Sequence, residues 1–184
     1  MDARERGIME NGSDSDKKNL RVSGETVDRM NQTYIDHINN IVKYDDVLFI
    51  LGDFGFFKDG YSVKSVRSRI CANDVRLVIG NHDTMEYVSQ AFDNIYDQVE
   101  IQVNGKNITL NHYAMLRWNN SHHGSYMLFG HSHGMLGDWI GQYMPQYRLL
   151  DVGVDGPSKE GHYKPWSFQE VTEYMEKLEG EKLL

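Results

Sequence analysis

Val47-Leu48-Phe49-Ile50-Leu51-Gly52-Asp53 sets five apolar residues in succession, then a glycine, then a carboxylate. A run that is apolar on both faces and too short for an ordinary helix reads as a strand buried between two layers. A related pattern follows at Val75-Arg76-Leu77-Val78-Ile79-Gly80-Asn81-His82-Asp83. Upstream of the first run, Val27, Met30, Tyr34, Ile35, Ile38, Ile41 and Val42 recur at steps of three and four. That spacing predicts a helix from Glu25, with Ser23 as its N-cap. Ser62 to Cys71 reads as a second helix. Helix, buried strand and glycine-containing loop in alternation is the rhythm of an α/β fold.

After Gln98 the segments shorten. Val99–Val103, Ile108–Asn111, Tyr126–Phe129 and Tyr147–Val152 read as strands, and Asn104-Gly105 between the first two is a hairpin signal. A last amphipathic helix follows Trp166, with Phe168, Val171, Tyr174, Met175 and Leu178 on one side. The expected architecture is α/β: two stacked mixed β-sheets flanked by helices, a four-layer α-β-β-α sandwich. Asn11 to Asn19 contains no apolar side chain, so residues 1–24 form a polar N-terminal lead-in and residues 25–184 the folded domain.

With 184 residues, the chain fits one domain plus a tail, and 40% hydrophobic residues are enough for a core. Its 19 basic and 27 acidic side chains give a net charge of −8, which argues against stable nucleic-acid binding through phosphate neutralisation. Phosphate substrates stay open, because bound cations reverse the local sign. The single cysteine, Cys71, excludes an internal disulfide framework and a multi-cysteine zinc site. No apolar run approaches the roughly 20 residues of a membrane span, and no apolar core follows the first residues as in a secretory signal. The expectation is a soluble protein of a reducing compartment, the cytoplasm.

Two strands thus end in Gly-Asp and Gly-Asn-His-Asp, where open α/β sheets gather their ligands. Either pair alone is a common turn. Downstream lie Asn111-His112-Tyr113 and Phe129-Gly130-His131-Ser132-His133-Gly134. Histidines two apart can aim both imidazoles at one point, or simply sit in a solvated loop. Nitrogen donors mixed with Asp and Asn oxygens suit Mn²⁺, Fe or Zn²⁺ rather than Ca²⁺.

The four elements in this order resemble the calcineurin-like metallophosphoesterase family, in particular its small single-domain prokaryotic and phage branch. The likeness runs from about Arg21 to Val171 and includes His112 to Trp118, Ser121-His122-His123-Gly124 and Val152-Gly153-Val154-Asp155. It implies hydrolysis of a phosphomonoester or phosphodiester by metal-activated hydroxide, the substrate being a small phosphoester or a nucleotide. It implies divalent metal ions, two where the site is complete, manganese first with iron, zinc or nickel as alternatives. Asp53 would bridge the two ions; Asn81, His112 and His131 would complete one, and His133 would ligate the other. His82 would act as general acid, oriented by Asp83. Arg117 and His123, with His122, are candidates to line the substrate cleft, a surface role being equally open for each. His37 and His162 are assigned no role.

One segment is missing from the pattern. The family's opening strand ends in Asp-x-His and supplies two ligands to the first ion. Here His37 alone precedes Asp53 among the histidines, and Asp14-Ser15-Asp16 follows no apolar run. Three readings stand open: a start further upstream, substitute ligands from the N-terminal stretch or a second subunit, or a single-metal protein with little or no catalysis. The corresponding alternative function is a non-catalytic metal- or phosphate-binding remnant acting through partners. Oligomeric state is not legible.

Overall fold

The computed structural model describes residues 24–154 and 164–182. The lead-in, including the proposed cap Ser23, lies outside the described residues. Helix α1 (Gly24–Ile41) is followed by β1 (Val47–Ile50), α2 (Gly60–Arg67), β2 (Asp74–Val78), α3 (Met85–Val88) and β3 (Ile95–Tyr96). Then come β4 (Gln98–Val103), β5 (Lys106–Asn111), a 3-10 turn at Ser121–His123, β6 (Tyr126–Phe129), α4 (Gly137–Tyr143), β7 (Arg148–Asp151) and α5 (Phe168–Lys182). The predicted strands and the long helices are present to within a few residues. A four-residue helix (α3), a two-residue strand (β3) and α4, none of whose residues is buried, were not foreseen; they give too little periodic signal to read.

Local chemistry explains the boundaries. Helix α2 starts at Gly60 because the Asp59 carboxylate accepts from the Ser62 N–H (2.8 Å). It stops at Arg67, short of the expected Cys71, where the Arg67 guanidinium turns onto the carbonyls of Ala72 and Asn73. The hairpin between β4 and β5 has Asn104 and Gly105 both left-handed (φ 48° and 79°), as a two-residue type I′ turn requires.

β1, β2 and β3 form a three-stranded sheet in that order, all parallel. β4, β5, β6 and β7 form the second, antiparallel at β4–β5 and parallel thereafter. The expected mixture of strand directions therefore belongs to the second sheet only. Within the described residues β1 is the edge of its sheet.

Three apolar clusters set the layers. Leu48, Val75 and Leu77 face outward onto Val42, Val63, Ile70, Val88 and Phe92 from the helical side. Phe49, Leu51 and Val78 face the other way, against Ile108, Leu110, Tyr126, Leu128 and Leu150 of the second sheet. Met127, Phe129 and Leu149 look out of the far side onto Met144, Leu136 and Ile140 around α4. β1 is thus covered on both faces, as its apolar run requires. Helix α5 departs from a purely outer position: Val171 and Met175 join the core between the sheets.

Candidate metal centre

The first strand does not simply end at Asp53. Gly52 and Asp53 are both left-handed, φ 90° and 54°, which turns the chain sharply and carries the Asp53 carboxylate toward the neighbouring strand end. The second loop meets it at Gly80. A Cβ on Gly80 would lie 2.4 Å from the Asp53 backbone nitrogen and from its Oδ1, and a Cβ on Gly52 would lie 2.2 Å from His112 Nδ1. Both glycines are therefore imposed by close approach.

His112, just beyond β5, is buried. Its Nδ1 stands 2.7 Å from the Leu51 carbonyl, which can only accept, so Nδ1 carries the hydrogen and Nε2 is left with its lone pair. Nε2 lies 3.0 Å from Asn81 Oδ1 and 3.5 Å from Asp53 Oδ2. Three electron-rich atoms turned toward one another repel unless a proton or a cation sits among them. His131, left-handed at φ 63°, brings its ring centroid to 5.0 Å from that of His112. Ligand atoms of Asp53, His112 and His131 all lie within 4.8 Å of one another. Nitrogen and oxygen ligands at about 2.0–2.2 Å from one ion stand roughly 3–4.4 Å apart, and a group gathered within 4.8 Å is close enough to that spacing for these three to be candidate ligands of a divalent cation. Asn81 Oδ1, 3.0 Å from His112 Nε2, places a further oxygen beside that group.

Two carboxylates, the half-buried Asp83 and the buried Asp151, hold the loops that carry these candidate ligands. Asp83 accepts from the backbone N–H groups of Asp53 (2.9 Å), Phe54 (2.9 Å) and Gly80 (2.8 Å), tying the first loop to the second. Burial pushes its carboxyl above the ordinary carboxylate value; the three N–H donors pull against that, and the nearby Asp53 charge adds to the rise. The expected partnership of Asp83 with the His82 imidazole is corrected accordingly: its described partners are three backbone donors. Asp151, at the end of β7, accepts from the Ser132 hydroxyl and the Gly134 N–H and so fixes the loop of His131 and His133. The sequence reading missed Asp151, although a carboxylate closing an apolar strand was the same signal already recognised at Asp53.

His82 lies beside the cluster. Its backbone N–H donates to Asp53 Oδ1 at 3.0 Å, and its ring meets that of Phe56 at 4.6 Å. His133 is left-handed at φ 49° but stands outside the group of Asp53, His112 and His131.

Arg117 and His123 are placed elsewhere. His123 lines a polar cleft of about 440 Å³ with Lys106, Asn107, Asn120 and Arg148, at the entry ends of β5, β6 and β7. Arg117 lies over the ring of Tyr147, just before β7 begins. The ligand loops leave the opposite ends of these strands, so the length of β6, about 10 Å at roughly 3.3 Å per residue, intervenes. Their expected place beside the substrate is corrected by strand direction: β5 and β6 are parallel, so the chain between them must return to the far end of the sheet.

No helix among the described residues is long and apolar enough to cross a membrane. No curated protein matches the chain. The crystal structure of AQ665 from Aquifex aeolicus, a protein of unknown function, is similar with a TM-score of 0.62 at 24% identity, covering 94% of this chain and 93% of that one. That likeness concerns the fold. The family model described as the calcineurin-like phosphoesterase superfamily domain matches residues 16–161, which contain the four ligand-bearing loops. On that match, and with those loops meeting around one point, the chain belongs to the calcineurin-like phosphoesterase superfamily.

Proposed function

We propose that the protein is a metal-dependent phosphoesterase that hydrolyses a phosphomonoester or phosphodiester, a small molecule or a nucleotide, in the cytoplasm. The observation that carries this reading is the convergence of Asp53, Asn81, His112 and His131 from four loops that the two sheets bring to one end of the molecule. These four residues would hold a divalent cation, manganese first. Such an ion supplies charge neutralisation at phosphoryl oxygens and a lowered pKa for water. The chain does the rest. Asp83 and Asp151 keep the ligand loops in register, and the Leu51 carbonyl fixes the His112 ring. As the bond from phosphorus to the ester oxygen breaks and a water oxygen bonds to phosphorus, releasing its proton to solvent, a proton on the His82 imidazole would pass to the departing oxygen, and His82 would regain one from solvent. General acid help of this kind is worth about 10²–10⁴-fold.

A second reading, a metal- or phosphate-holding module acting through partners, is favoured by one observation: among the described residues a single group of three metal-ligating side chains, Asp53, His112 and His131, gathers within 4.8 Å, enough for one ion. Hydrolysis of bis-p-nitrophenyl phosphate with added Mn²⁺ separates the two. Turnover that disappears in Asp53→Asn is the result expected of the enzyme; equal background rates in both proteins favour the module. Metal analysis gives two ions per chain if His133 and further ligands complete a second site, and one if they do not.

A further inference from the structure

The loop after Asp53 reads Phe54-Gly55-Phe56-Phe57, and its three rings have different fates. The Phe54 ring meets Phe92 edge-on at 5.0 Å and Phe57 at 5.6 Å, and both Phe54 and Phe57 pack on the core outside the first sheet. A Cβ at Gly55 would come within 2.5 Å of the Phe57 ring, so glycine there lets Phe57 fold back under the loop. The Phe54 N–H is held by Asp83. With its neighbours anchored on both sides, Phe56 is kept out of the core and is 83% exposed.

A single exposed apolar side chain is ordinary on a protein surface. Position distinguishes this one. The Phe56 ring stands 4.6 Å from the His82 ring, inclined at 50°, and the His82 backbone N–H donates to a carboxylate oxygen of Asp53 in the cluster. The ring therefore borders the side on which a departing oxygen would receive its proton. A second partly exposed ring, Tyr113, lies 4.6 Å from His131 and 4.8 Å from His112. The cluster itself reads only phosphate. The surface beside His82 offers a departing group an aromatic face.

We propose that Phe56 is a stacking platform for the departing group, so that the site selects phosphoesters whose alcohol carries a planar aromatic ring, such as a nucleoside. The proposal rests on the phosphoesterase reading and deepens it by naming a substrate class. Stacking on one aromatic ring tolerates any nucleobase, because every base has a π-face.

The test compares adenosine 5′-monophosphate with ribose 5-phosphate, which share the ester oxygen and the sugar and differ by the base. In the Mn²⁺-loaded protein, the ratio of kcat/KM for the nucleotide over the sugar phosphate should fall about 5- to 150-fold in Phe56→Ala and in Phe56→Leu, and return in Phe56→Trp. Thermal melting checks that the variants fold. An unchanged ratio in Phe56→Ala, or a Phe56→Leu protein that keeps the wild-type ratio, overturns the proposal. If the wild type hydrolyses neither ester, catalysis fails and stacking is still decided by calorimetry. Tighter binding of the nucleotide than of ribose 5-phosphate, lost in Phe56→Ala, supports the platform; equal affinities in the wild type overturn it.

Discussion

Gly80 has no room for one methyl group. The atoms that a Cβ would meet first are the backbone nitrogen and Oδ1 of Asp53, so relief requires a shift of the ligand loop itself. Gly80→Ala should cost about 1–3 kcal/mol of stability, as overpacking typically does, and should weaken Mn²⁺ binding in calorimetry because Asp53 is displaced. Gly141 is the contrast: it lies within α4 and a Cβ there would meet nothing within 4 Å. Gly141→Ala should leave Mn²⁺ binding unchanged and raise stability by about 0.5–1 kcal/mol, the helical preference of alanine over glycine. Equal metal affinity in the wild type and Gly80→Ala would show that the two loops are not mutually constrained.

Helix α5 shows how an element is fixed at one end by charge. Ser167 and Glu170 form a reciprocal cap: the Ser167 N–H donates to Glu170 Oε2 (2.8 Å), and the Glu170 N–H donates to Ser167 Oγ (3.2 Å). Lys164 adds an ion pair to Glu170 at 2.6 Å. The Lys164 ammonium first, then the Ser167 N–H, pull the Glu170 carboxyl from 4.5 to about 2. A carboxyl whose folded value is depressed stabilises the fold above its unfolded value and loses that contribution as pH falls through the folded one. The excess melting temperature of the wild type over Glu170→Gln should therefore be full above about pH 4.5 and vanish as pH falls to about 2. A difference that does not change over that window would assign the cap to packing rather than charge. The sequence shows Ser167-Phe168-Gln169-Glu170 plainly, so the start of this helix was legible to within two residues.

At the scale of the molecule, the ligand loops are joined side by side rather than merely near one another. The Gly130 N–H donates to the His112 carbonyl, Asp83 ties Asp53 to Gly80, and Asp151 ties the loop of His131 to β7. A cation among these donors binds the folded chain alone, so it should stabilise the whole by mass action. At 100 times its dissociation constant the gain is about 2.7 kcal/mol, a rise in Tm of roughly 5–10 °C for a chain of this size. Mn²⁺ should produce that rise in the wild type, chelator should reverse it, and Asp53→Asn should not show it. A melting temperature indifferent to Mn²⁺ in the wild type would mean that the donors do not bind the ion in solution.

The strands buried on both faces, the Asn104-Gly105 hairpin and the four loops that bear Asp53, Asn81, His112 and His131 are legible from the residues alone. Each is written locally, in runs of apolar residues and in glycines at strand ends, and local physics decides it. Which side chains meet is settled by packing. The parallel pairing of β5 and β6 sends the chain after His112 back across the sheet, which removes Arg117 and His123 from the site although they lie between two ligand motifs in sequence. The same packing turned Asp83 onto three backbone donors and left Phe56 outside against His82. Side-chain direction depends on what the neighbouring strand presents, and spacing along the chain carries no record of that.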